Sequence, residues 1–253
     1  MNKKNFLYGI VGLLAGFMVG FLIANSVGHR EGGSAPGAKL AQPGATAPAQ
    51  NNNLGGAADS SDTPKLSEEE VQKAIATGDQ KPGDIEFQRK LGLALYRYAS
   101  YTQDARYLPD VARFLKRAYD ANPKDRDLTI SLGNVLFDIA QKNDTARFAE
   151  ARVYYQKALE MKADDADVRT DLGLTYYFGK PSDPERAIAE YRKALAVDAR
   201  HEATLQNLAA ALIVTGNQAE AEKRIAELQS INPSNAALSD LRAQLAQSKN
   251  AQE

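Results

Sequence analysis

The chain contains no cysteine and no tryptophan, and only two histidines among its 253 residues. Without cysteine there is no disulfide, no thiolate metal site, no cysteine nucleophile and no lipidated cysteine anchor. The redox compartment stays open, because a cysteine-free protein works in either environment. His29 and His201 each lack a partner at metal or triad spacing. Charge of one sign is also missing. With 31 basic and 32 acidic residues the net charge is -1, which argues against a general nucleic-acid binder, since that would carry a basic excess. There is no phosphate-cradling glycine loop and no zinc motif. The sequence therefore offers no catalytic constellation, metal site or cofactor site, and the expectation is a protein that is not an enzyme.

What is present is unevenly distributed. Residues 6–27 carry no charged side chain. As a helix at 1.5 Å per residue they span roughly 33 Å, enough for a bilayer core. An export signal has a shorter apolar region and a small-x-small cleavage site. "IANSVGHR" is a poor one, so the length favours an uncleaved transmembrane anchor over a cleaved signal. Lys3 and Lys4 precede the segment, and His29, Arg30 and Glu31 follow it. The positive-inside rule then keeps the N-terminus in the cytoplasm and sends the rest across the inner membrane. Gly9, Gly12, Gly16 and Gly20 fall on one stripe of that helix. Small residues so placed let two helices approach closely in lipid, which suggests self-association; glycine is also simply common in membrane helices.

Residues 1–30 thus form the anchor domain. Residues 31–64 are rich in Gly, Pro, Ala, Ser and Asn. They have too little to bury to offset their ordering entropy, and are expected to be a disordered linker of roughly 30 Å. Residues 65–83 contain a short lead-in helix. Ser67 and Glu70 make a capping box, Glu68-Glu69-Glu70 give it an acidic start, and Gly78 supplies a stop.

From residue 84 the sequence repeats. "RKLGLALY" (89–96), "ISLGNVLF" (130–137), "TDLGLTYY" (170–177) and "QNLAAALI" (206–213) align without gaps. Their leucines, Leu91, Leu132, Leu172 and Leu208, are each followed by a small residue: Gly92, Gly133, Gly173 and Ala209. A second set of markers follows at Ala118, Ala158, Ala194 and Leu228. Seven positions before these stand Val111, Ala151, Ala187 and Ala221, and three before stand Leu115, Tyr155, Tyr191 and Ile225. Each unit reads as two helices, A and B. The small residue lets A approach B, and the marked positions share one face of B. One pair cannot bury that face alone, so the pairs must stack.

Punctuation agrees with this reading. Asp183-Pro184 and Asn217 with Glu220 look like helix starts. Asn122-Pro123 and Asn232-Pro233 end helices. "ADDAD" (163–167) sits where aspartates cap helices, and lacks the length and ligand spacing of a calcium loop. "SNAALSDLRAQLAQSK" reads as a terminal capping helix.

These residues resemble the tetratricopeptide repeat (TPR) family. The last unit holds the spacing best, through Leu208, Ala209, Leu212, Gly216, Ala221, Ile225 and Pro233. The third follows, with Leu172, Gly173, Tyr176, Ala187, Tyr191 and Ala194. In units one and two the interval from leucine to second marker is longer (91 to 118 and 132 to 158, against 208 to 228), and the family's early tryptophan is missing. Either the helices are lengthened there or a loop protrudes. The resemblance implies an all-α fold: a TPR α-solenoid of about four helix pairs plus a C-terminal capping helix, over residues 84–248, with 249–253 as a tail.

The resemblance also implies a protein- or peptide-binding groove lined by the A helices. By position it would display Arg89, Tyr96, Asn134, Phe137, Thr170, Tyr177 and Gln206. Tyr96, Phe137 and Tyr177 each lie five residues after their unit's leucine and should stack as an aromatic ladder; packing between neighbouring helices would use the same positions equally well. A single N-terminal span followed by such repeats is similar to the TPR subunits of bacterial c-type cytochrome maturation, which implies apocytochrome capture outside the cytoplasm, in the periplasm. An ancillary chaperone at the translocon and a self-associating structural envelope protein are the alternatives.

Overall fold

The computed structural model describes residues 66–142 and 144–250. The anchor, its glycines and the linker (residues 1–64) lie outside the described residues. Among the described residues no helix is long and apolar enough to cross a membrane. The chain divides into two compact units, the first ending at Lys81 and the second beginning at Pro82.

In the first unit the described structure is helix α1 (Glu68–Gln80). The Ser67 hydroxyl accepts from the Glu70 amide at 3.2 Å, and the Glu70 carboxylate accepts from the Ser67 amide at 2.8 Å. That reciprocal pair is the capping box. Gly78 does not stop the helix: it continues to Gln80, and Lys81 closes it by donating to the Gly78 carbonyl. A single glycine costs a helix only about 1 kcal/mol, so it ends one only where the backbone must also turn left-handed.

The second unit is four antiparallel helix pairs and a final helix. Pair 1 is α2 (Ile85–Thr102) and α3 (Leu108–Ala121), joined through a short 3₁₀ turn at Ala105–Tyr107. Pair 2 is α4 (Arg126–Lys142) and α5 (Arg147–Met161). Pair 3 is α6 (Ala166–Phe178) and α7 (Pro184–Val197). Pair 4 is α8 (Glu202–Val214) and α9 (Gln218–Ile231), and α10 (Leu238–Asn250) covers the end by packing on both. Each helix packs chiefly on its partner and on the next pair. The described residues thus form ten α-helices and no strand, with the pairs stacked in sequence order.

The aligned residues hold this stack together. Val111, Ala151, Ala187 and Ala221, and the markers Ala118, Ala158, Ala194 and Leu228, are wholly buried. A methyl group at Gly92 would lie 2.7 Å from Leu115 Cδ2, and one at Gly133 2.8 Å from Tyr155 Cε1. One at Gly173 would overlap the ring of Tyr191. In pairs 1 to 3 the A helix therefore meets its B helix at the small residue, and the partner is the residue three before the B marker. In pair 4 the aligned positions are Ala209 and Ile225, both buried.

The long intervals in pairs 1 and 2 lengthen the A helices. Helices α2 and α4 have 18 and 17 residues, against 13 in both α6 and α8. The B helices stay nearly constant at 14, 15, 14 and 14 residues. Added residues that continue a hydrogen-bonded helix keep every backbone group paired, whereas a protruding loop would not. Gly216 closes α8 at φ 76°, a left-handed conformation that suits glycine and allows the short turn into α9.

One aspartate register starts the A helices. Asp84 accepts from the Phe87 amide, Asp125 from Leu128, and Asp165 from Val168. Asp125 also pairs with Arg89 of the preceding pair at 3.4 Å, and Asp165 with Arg126 at 2.6 Å. A single side chain thus caps one helix and ties two pairs together. Asp183 caps α7 before Pro184 as the sequence suggests. Asn217 and Glu220 do not form a capping box: Asn217 caps no amide, and Glu220, which accepts from the Asn217 side chain at 3.4 Å, is held by Arg192 of pair 3 at 2.6 Å. A charge-assisted bond outcompetes the reach back to a neutral amide.

Gly173→Ala should lower stability by about 1–3 kcal/mol, because the buried Tyr191 ring cannot step aside and overpacking outweighs the gain in helix propensity. Gly92→Ala meets the end of a flexible leucine and should cost less. Urea unfolding followed by circular dichroism tests the order; equal effects would show that ring contact does not set the helix spacing.

Candidate functional site

The A helices present a row of polar and aromatic groups, and the anticipated residues divide between surface and interior. Arg89 is partly buried and held by Asp125. Tyr96 is half-buried and donates its hydroxyl to Asp138 Oδ2 at 2.6 Å. The Asn134 side-chain oxygen accepts from the Tyr155 hydroxyl at 2.9 Å. Tyr177 and Gln206 are partly exposed. Thr170 is buried, bonded to Thr204 at 2.6 Å. Phe137 is buried too, edge-on to Phe148 at 5.2 Å and to Phe178 at 6.5 Å. The three-ring ladder is therefore not what packs here: Phe137 joins an interior cluster with Phe148 and Phe178, and Tyr177 reaches it through Phe178 at 5.2 Å. Without a polar handle, phenylalanine gains most by burial, whereas a phenol stays where its hydroxyl finds water or a partner.

Several members of the row were not singled out from the sequence. Asp138 and Asp171 stand among the phenols of Tyr96, Tyr155, Tyr177 and Tyr191. Burial raises Asp138, while the Tyr96 hydrogen bond and Lys142 pull it back down. Asp171 is raised to about 7, first by burial and then by the like charges of Asp167, Asp165 and Asp138, with His201 opposing. Burial and the neighbouring carboxylates push the Tyr96 and Tyr155 phenols well above their ordinary range. The available sequence signal was register: Asp171 and Asn207 each directly precede an aligned leucine.

His201 stands where Asp84, Asp125 and Asp165 cap the earlier A helices, but makes no side-chain cap. One ring nitrogen meets Thr204 Oγ1 at 2.6 Å and the other Asp167 Oδ1 at 2.9 Å. The partner that the local sequence did not offer lies one repeat earlier. The Asp167–His201–Thr204 chain has the order of a nucleophilic relay, yet Thr204 is wholly buried and also bonded to Thr170. Its hydroxyl cannot meet a substrate, and the chain joins α6 to α8. The hydrogen bond with Asp167 raises the His201 value above 6.5. Among the described residues no cluster of three potential ligands could hold a metal ion.

These shifts fix a pH dependence. An aspartate with a folded value near 7 and an unfolded value of 3.8 stays protonated longer in the native state. The native state then binds more protons than the unfolded chain, so stability falls as pH rises through that interval. The part due to His201 is complete below its unfolded value of 6.5 and is lost as pH climbs through the raised folded value. The urea midpoint should therefore drop between pH 6 and pH 8. Asp171→Asn should flatten that drop and raise stability at pH 8 by roughly 1–3 kcal/mol. A midpoint level across this interval, in both proteins, would contradict the assignment.

Residues 181–245 match the tetratricopeptide repeat family model, a range covering α7, α8, α9 and part of α10. Both pairs with lengthened A helices lie outside it. No curated protein matches in sequence. Among solved structures, a crystal structure of MamA superposes with a TM-score of 0.52 at 20% identity, over 66% of this chain and 89% of that one. MamA from Desulfovibrio magneticus (residue 41 to the end) gives 0.52 at 18%, over 67% and 87%. A tetratricopeptide repeat protein from Parabacteroides merdae gives 0.51 at 18%, over 63% and 60%. At such identities the likeness speaks for the fold. Residues 181–245 thus carry the tetratricopeptide repeat, and the second unit as a whole has a tetratricopeptide-like solenoid fold.

Proposed function

We propose that this chain is a membrane-tethered scaffold that captures extended segments of other proteins on the face of its A helices, and that it transforms nothing. The observation that carries this reading is the row itself. Tyr96, Tyr177 and Gln206 remain partly exposed beside Asp138 and Asp171, on helices whose A–B contacts are fully packed. A preformed row of amphipathic rings and polar groups suits capture of a peptide at little ordering cost. In this reading residues 6–27 hold the chain in the inner membrane with the N-terminus inside. The linker then lets the repeats search the space outside the cytoplasm. Capture of an apocytochrome segment during c-type cytochrome maturation is the finer form of the proposal, and rests on the order of span, linker and repeats.

A photoreactive residue placed at Tyr96 or Tyr177 in cells should trap a protein partner. An apocytochrome would support the finer form, and exported nascent chains the chaperone alternative. Binding left intact by Tyr96→Ala with Tyr177→Ala would remove the A-helix face from the proposal. For the tether, mass spectrometry of the membrane-bound protein should find residues 6–27 retained. Gly16→Ile should reduce self-association at least severalfold, since a branched side chain keeps two spans apart; unchanged dimers would dismiss the glycine stripe.

A further inference from the structure

The centre of the A-helix row holds polar groups that lack partners. Among the described residues Asp171 is half-buried and has no hydrogen-bond or ion-pair partner, while three neighbouring carboxylates and, with the opposite sign, His201 act on it through space. The Tyr191 hydroxyl is wholly buried, also without a partner, and feels the charge of Asp171 and the Tyr177 phenol. Asn207, 4% exposed, occupies the same register one repeat on, and its side-chain oxygen is likewise buried and unpaired. The neighbouring cations are engaged elsewhere. Arg126 is held by Asp165, Arg169 by Glu190 at 3.1 Å, and His201 by Asp167. Lys142, exposed one turn beyond Asp138 on α4, moderates Asp138 alone.

A half-buried carboxylate that meets water but no protein donor is open to a guest. Its place beside a buried phenol and a buried amide oxygen that are also unpaired is the pattern expected of a site finished by its guest. The missing chemistry is positive charge with several N–H donors, which lysine and arginine side chains supply. The phenols of Tyr96 and Tyr177 flank the place and would favour a cation beside their rings. A side chain presented by a polypeptide uses both kinds of surface, whereas a free amine would use only the carboxylates. We infer that this face selects peptides carrying a lysine or arginine, whose cationic head settles between Asp138 and Asp171 beneath Tyr96 and Tyr177. This rests on the peptide-capture reading above and adds to it the charge of the guest.

The test uses the full chain in mild detergent, with a benzoylphenylalanine at position 177. The probes are four labelled libraries of synthetic 12-residue peptides, randomised except at a central position fixed as lysine, arginine, citrulline or glutamate. The lysine and arginine libraries should cross-link at least tenfold more than the other two. Asp171→Asn should remove most of that preference, with Asp240→Asn on α10 as a control that keeps it. Asp171→Asn should also unfold no more easily than the parent, so a lost preference would not be a folding defect. Equal cross-linking of all four libraries, or preference for glutamate, would overturn the inference and leave peptide capture standing. Cross-linking of none would overturn both.

Discussion

The stacking of the second unit depends on one contact repeated in its first three pairs: the approach of an A helix to its B helix at a single small residue. At Gly92, Gly133 and Gly173 there is no room for a methyl group against Leu115, Tyr155 and Tyr191. This closeness sets the distance between the two helices of a pair. It also sends the Tyr155 hydroxyl through to Asn134 on the A helix, and brings the Tyr191 hydroxyl under the influence of Asp171. The polar row is therefore a product of the packing. Tyrosines that serve as core on the B side deliver their hydroxyls to the A side.

The links between pairs are of a different kind. Alanine and leucine markers bury the continuous face, but polar bonds fix the register of one pair on the next. Asp125 and Asp165 cap a helix and accept an arginine from the pair before. In pair 4, where histidine replaces the aspartate, the tie is remade through Asp167. Partly buried, charge-assisted bonds of this sort are worth more than exposed pairs, and they select one register among the many that apolar contact alone would allow. Carboxylates gathered for this purpose leave Asp171 beside others of its own sign. The same concentration of acid that assembles the stack sets the character of its A-helix face.

Repeat number and helix pairing were legible in the sequence, because each depends on periodic spacing along one chain. The small residue after each leucine was readable, and so was the position three before each B marker, but that the two meet was not. Nor was the way a given ring turns. Tyr96, Phe137 and Tyr177 share a position, but Phe137 goes inward to Phe148 and Phe178, since side chains from three helices must be placed before that choice is made. The fate of the extra residues in pairs 1 and 2 was open for a similar reason. Continuing the helix or looping out differ in backbone pairing, and α2 and α4 take the first course.

By itself the sequence determined an all-helical repeat with its small residues at fixed places and its proline-marked helix ends. These follow from residue types at fixed intervals, and such intervals survive any arrangement of the whole. Only the tertiary structure decided which charges are neutralised. It brought Asp167 to His201, Tyr96 to Asp138 and Arg126 to Asp165 across about a repeat each, and it left Asp171 with none. Electrostatic energy falls with distance in space and rises as water is excluded. Neither quantity is a property of sequence order, so the chemistry of the A-helix face became visible only once the pairs were stacked.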